Sequence, residues 1–136
     1  MTGKRLFASI ALLAAATANA AACTIPDGWT MMQVEQAQSS TIALKLPPTP
    51  VKIAKRFSID ILVCADPQPG IGNIRLDATM PAHKHGMNYR PEIKEIADNM
   101  YRGSGMFFHM PGEWQISVDL LVDGESRPFL LKVPAG

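Results

Sequence analysis

Aromatic residues are scarce in this chain, 7% of 136 residues, so a core has to be built mainly from Ile, Leu, Val and Met. Cysteine is scarcer still, with Cys23 and Cys64 the only two. They form no Cys-x-x-Cys pair, which argues against a thiol oxidoreductase. Neither sign of charge dominates. Charged residues are 18% of the chain, and setting aside Lys4 and Arg5 turns the formal net charge of +1 into −1. That balance argues against nucleic acid or an anionic membrane surface as partner, since both select clustered Lys and Arg. Beyond the first twenty-odd residues no apolar run approaches the roughly 20 residues that span a bilayer. No glycine-rich loop leads from a strand into a helix to cradle phosphate: Gly70-Ile71-Gly72 follows a Pro-rich turn. Ser58, Ser104 and Ser117 have no His and Asp grouped with them, and no pair of acids stands out. A non-enzyme is therefore expected.

What is present begins with a leader. Lys4 and Arg5 precede an apolar run from Leu6 to Ala16, and Ala18-Asn19-Ala20 supplies a small-x-small cleavage site. This order reads as a secretory signal peptide over residues 1–20, cut after Ala20 or after Ala22. The remaining 21–136 reads as a single domain, periplasmic or secreted. Cutting after Ala22 would put Cys23 first, as in a lipoprotein, but Ala20 stands where a lipobox usually has Leu. Lipidation is the secondary alternative.

Export places Cys23 and Cys64 in an oxidising compartment, where paired thiols persist as a disulfide. Such a bridge closes a loop of about 40 residues and is expected to add about 3–4 kcal/mol by restricting the unfolded chain. The alternative is a buried Cys64 thiol with Cys23 free or lipidated.

Alternation of period two marks the strands. Phe57, Ile59, Ile61 and Val63 share one face, as do Ile74, Leu76, Ala78 and Met80. Trp114, Ile116, Val118 and Leu120 form a third inward set, and Phe129, Leu131 and Val133 a fourth. Asp123-Gly124-Glu125 between the last two is a hairpin signal. Weaker strands are expected over Thr41–Leu46, Glu92–Ala97 and Tyr101–Phe108. Thr30–Gln38 is ambiguous between helix and strand, and Pro47-Pro48-Thr49-Pro50 forces an extended connection. About seven short strands with turns at near-regular spacing predict an all-β, immunoglobulin-like antiparallel sandwich.

All three histidines, His83, His85 and His109, fall near methionines, in Met80-Pro81-Ala82-His83-Lys84-His85-Gly86-Met87 and Phe108-His109-Met110-Pro111-Gly112. In an extended segment the spacing of His83 and His85 puts both imidazoles on one face. Two turns at one end of a sandwich would bring His109 to them. Imidazole nitrogen with thioether sulfur suits copper, so His83, His85 and His109 with Met87 or Met110 form a candidate metal site. Zinc is disfavoured, because neither a carboxylate nor a thiolate lies at its usual spacing. The competing reading makes Met80 core, Met110 packing beneath its turn, and His109 a half-buried ring satisfied by a backbone carbonyl. Lys84 adds a positive charge unhelpful to a cation.

The segment Met80-Pro81, His83-x-His85-Gly86-Met87 and Phe108-His109-Met110-Pro111-Gly112-x-Trp114 resembles the YtkA-like and FixH-like group of small exported or anchored domains. The resemblance implies an immunoglobulin-like sandwich and, for several relatives, an association with copper handling or oxidase maturation. Blue-copper carriers fit poorly, since Cys64 is expected in a disulfide and no His follows it closely. Two functions are therefore expected to compete: copper binding and trafficking through the His/Met cluster, or non-catalytic binding of another envelope protein.

Overall fold

A computed structural model describes residues 23–136. The expected signal peptide and both cleavage sites lie outside the described residues. The described chain forms ten strands in two antiparallel sheets of five. They are β1 (Thr30–Met31), β2 (Gln33–Val34), β3 (Thr41–Lys45), β4 (Arg56–Cys64), β5 (Ile74–Met80), β6 (His85–Gly86), β7 (Glu92–Ala97), β8 (Met100–Phe107), β9 (Gly112–Val122) and β10 (Glu125–Ala135). One 3-10 turn, Ile71–Asn73, leads into β5.

The first sheet has the order β1-β3-β4-β8-β7 and the second β2-β10-β9-β5-β6. The chain makes a hairpin in one sheet, crosses, and makes the next hairpin in the other. This is the all-β sandwich the turn spacing predicts. The seven strands longer than two residues are the ones legible in the alternation; β1, β2 and β6 have two residues each. Thr30–Gln38 resolves into β1 and β2, one on an edge of each sheet, and not into a helix.

The inward sets meet between the sheets. Ile59, Ile61 and Val63 face Leu76, Ala78, Ile116, Val118 and Leu120, all buried. Each large apolar side chain so buried is worth about 1.5–3 kcal/mol. Phe129 and Val133 join them, whereas Leu131 is only partly buried against the core. The β9–β10 hairpin turns through Asp123 (φ 52°) and Gly124 (φ 80°), with Val122 opposite Glu125. Positive φ at both central residues is the two-residue turn whose twist matches the strands. Pro128 and Pro134 lie inside β10, but β2 covers that strand only at Phe129 and Leu130, so neither missing N–H breaks a ladder.

The Cys23–Cys64 disulfide is formed, with Cα atoms 5.7 Å apart. It ties the start of the described chain to the end of β4. Strand directions leave two ends. One gathers the β3–β4, β5–β6, β6–β7 and β8–β9 connections; the other gathers the β2–β3, β4–β5, β7–β8 and β9–β10 connections.

Candidate metal site

The β5–β6 hairpin carries two of the three histidines. Met80 pairs with His85 and Thr79 with Gly86, so Pro81 to Lys84 form the loop. The His83 N–H donates to the Met80 carbonyl at 3.1 Å, and Lys84 adopts φ 54°. The extended stretch expected at His83-Lys84-His85 is therefore a tight turn. The two rings nevertheless share a side, stacked with centroids 5.8 Å apart and planes 29° apart. The turn, and not strand alternation, brings them together. Gly86 is needed for close approach: a Cβ there would sit 3.2 Å from the Ala78 carbonyl oxygen.

His109 follows β8, in the other sheet. Its ring lies 5.0 Å from that of His85, centroid to centroid, with planes 33° apart. His85 is thus flanked by His83 on one side and His109 on the other. Beneath them is Trp114, whose ring meets His85 edge-on at 6.0 Å and His109 edge-on at 5.4 Å. Trp114 is fully buried and stacks on Phe108 at 4.5 Å with planes 8° apart. Its indole N–H donates to the Met110 carbonyl at 2.9 Å, which closes the turn after His109. The Ala54 N–H donates to the Phe108 carbonyl at 2.8 Å, fixing the other side.

The methionines divide. Met80 is core, 1% exposed. Met87 is half-buried, and its sulfur accepts the Phe107 N–H at 3.5 Å. Met110 packs against the core and supplies its carbonyl to Trp114.

The unusual feature is His85. Both ring nitrogens are buried, and neither has a hydrogen-bond partner. A buried polar group left unpaired costs about 1–3 kcal/mol, and native structures rarely leave one without a reason. With metal–imidazole bonds of about 2.0–2.1 Å, two imidazoles on one ion have ring centres on the order of 4.5–6 Å apart. The spacings of 5.0 and 5.8 Å about His85 are of that size. The donor atoms are not already gathered at one point: among the described residues, no three His, Cys, Asp or Glu side chains present a closed ligand set. Closing one requires the rings to turn about the terminal torsion, which is broad for imidazole. His83 is exposed. The imidazole donor set therefore fits a borderline metal ion such as copper, after that rotation.

Trp114 as part of the site was missed from the sequence, where it reads as core. The signal was its place after His109-Met110-Pro111-Gly112, a turn short enough to fold the indole back under the imidazole. A groove lies elsewhere, at the opposite end, between residues 35–39 and 125–128. It contains none of the histidines.

The fold and this rim define a small all-β sandwich with a histidine cluster above a buried aromatic floor. The chain belongs to the YtkA-like family, matching it over residues 34–119. The match is to the YtkA-like side of the motif resemblance; the FixH-like side is not shown by it. Neither the curated proteins nor the solved structures contain a match to this chain.

Proposed function

We propose that this protein is an exported carrier or scavenger of copper, holding the ion through His83, His85 and His109 with Met87 or Met110 as a softer additional ligand. One observation carries the reading: His85 has two buried, unpartnered ring nitrogens and an imidazole on either side. Nitrogen ligands suit either copper oxidation state, and thioether favours Cu(I). The Met87 sulfur accepts a backbone N–H and would have to bind through its second lone pair. The formed disulfide supports an oxidising compartment and so agrees with the leader. Among the described residues no helix is long and apolar enough to cross a membrane. The proposed role is binding, without catalysis.

Titrating the purified protein with Cu(I) and Cu(II) tests this. The expected result is one ion per chain, bound well below millimolar. Affinity no better than millimolar, or affinity that survives replacing His83, His85 and His109 together by Ala, refutes it.

A further inference from the structure

The near-neutral charge of the chain conceals a strong separation of charge between the two ends of the sandwich. The histidine end carries Lys52 and Lys55 in the β3–β4 connection, Arg56 at the start of β4, Lys84 in the β5–β6 turn and Arg90 before β7, all exposed. None of the five takes part in an ion pair among the described residues, where the pairs are Lys94–Glu92, Arg102–Asp60 and Lys132–Glu113. Glu92 and Glu113, toward this end, are thus each engaged by a lysine on their own sheet, while Asp27, in the turn before β1, is an exposed acid at this end outside any ion pair among the described residues. The opposite end carries Glu35, Asp66, Asp98, Asp123 and Glu125, all exposed, with Arg75 and Arg127 among them. Composition argues against a partner selected by clustered cations; the fold assembles the cluster from three separate connections.

A second feature sits inside the cationic end. The Arg56 guanidinium lies 4.6 Å above the ring of Tyr89. Tyr89 is 44% exposed and meets Phe107 edge-on at 5.4 Å. The Phe107 N–H in turn donates to the Met87 sulfur, beside the histidine hairpin. Tyr, Arg, Met and Phe are the residue types enriched where proteins bind proteins. Stacking holds the guanidinium fork in place, so less freedom is lost when it grips a carboxylate bidentately.

We infer that this end is a docking face for the acidic surface of a partner protein, with Arg56 on Tyr89 as its anchor and Lys52, Lys55, Lys84 and Arg90 as the surrounding field. The inference goes beyond copper binding and stands whether or not the imidazoles hold a metal. An anionic membrane is the competing occupant of any cationic face. It is the poorer fit, because Tyr89, the exposed aromatic at this end, is covered on one face by the Arg56 guanidinium, and the exposed aliphatic residues Val34, Ile71 and Ile96 lie toward the other end.

Photo-crosslinking in the native host tests the inference. A benzophenone amino acid replaces exposed Asn88, next to Tyr89, leaving the anchor intact; a control places it at Ile71. The expected result is a discrete protein adduct from position 88, absent from position 71, with an Asp/Glu-rich cross-linked peptide. Arg56→Glu with Arg90→Glu should lower its yield about tenfold, while Arg127→Glu at the far end leaves it unchanged. Circular dichroism of each variant confirms that the sheets are intact. No protein adduct, adducts to lipid alone, or an adduct indifferent to the Arg56 and Arg90 reversals overturns the inference.

Discussion

The indole of Trp114 stands edge-on to the imidazole of His85, with ring centroids 6.0 Å apart. A tryptophan this close to a bound Cu(II) ion is expected to lose its emission. The chain has two tryptophans, so Trp29→Phe leaves Trp114 as the sole reporter. Cu(II) should quench that variant with one-site saturation. Adding His85→Ala should weaken the apparent affinity by at least about tenfold. Quenching unchanged by His85→Ala would show that copper binds elsewhere.

The same indole has a structural task. Its N–H satisfies the Met110 carbonyl at 2.9 Å. Trp114→Phe keeps a ring on Phe108 but strands that carbonyl, at a cost of about 1–3 kcal/mol, and removes ring volume besides. Urea denaturation should show a lower midpoint with an unchanged slope. An unaltered midpoint would mean that the hydrogen bond is not maintained in solution.

Gly103 in β8 sits where the two sheets approach each other. A Cβ there would collide with Leu76 Cδ2 of β5. Gly103→Ala is therefore expected to destabilise the domain by about 1–3 kcal/mol through overpacking. Combining it with Leu76→Ala, which removes the obstructing methyls, should cost less than the sum of the two single changes. Strict additivity would contradict the contact.

The Cys23–Cys64 bridge spans a separation of 41 residues. Cys23→Ser with Cys64→Ser is expected to lose about 3–4 kcal/mol, because the unfolded chain gains freedom. Thiol titration of the denatured, unreduced protein should find no free group; two would refute the pairing.

Tyr101 predicts the alkaline limit. Burial raises its phenol above the ordinary value, and nearby Glu95 adds to the effect. The folded state thus holds this proton more tightly than the unfolded one. The resulting stability is complete below about pH 10, the unfolded value, and is lost as pH rises through the folded-state value. Tyr101→Phe should flatten the decline in stability above pH 10. A decline of equal slope in that variant would assign it to other groups.

Much of the fold was legible before the structure. Period-two alternation in 57–63, 74–80 and 114–120 located three of the long strands, because a half-buried strand has to alternate. The seven longer strands follow from that pattern and from turn residues such as Asp123-Gly124. The two-residue strands did not, since two residues carry no period. The candidate site was half legible. His83, His85 and His109 were identifiable as residue types near two turns, and the structure does bring their rings together. The reason given for His83 and His85 was wrong in kind: Lys84 at positive φ makes a turn where an extended segment was expected. Met87 and Met110 were grouped with the histidines by proximity in the chain. Their observed partners, the Phe107 N–H for the Met87 sulfur and the Trp114 indole for the Met110 carbonyl, depend on contacts between strands that spacing does not reveal.

From its sequence alone the chain was determined to be a small, mostly β domain with two cysteines, a leader-like start and histidines beside turns. Those properties are local: alternation, turn chemistry and composition act over a few residues. Only the tertiary structure decided that His85 would sit half-buried between two other imidazoles with both ring nitrogens shielded, and that a nearly neutral chain would gather five unpaired cations at that same end. Both depend on which connections the two sheets bring to one rim, and no short stretch of sequence holds that information.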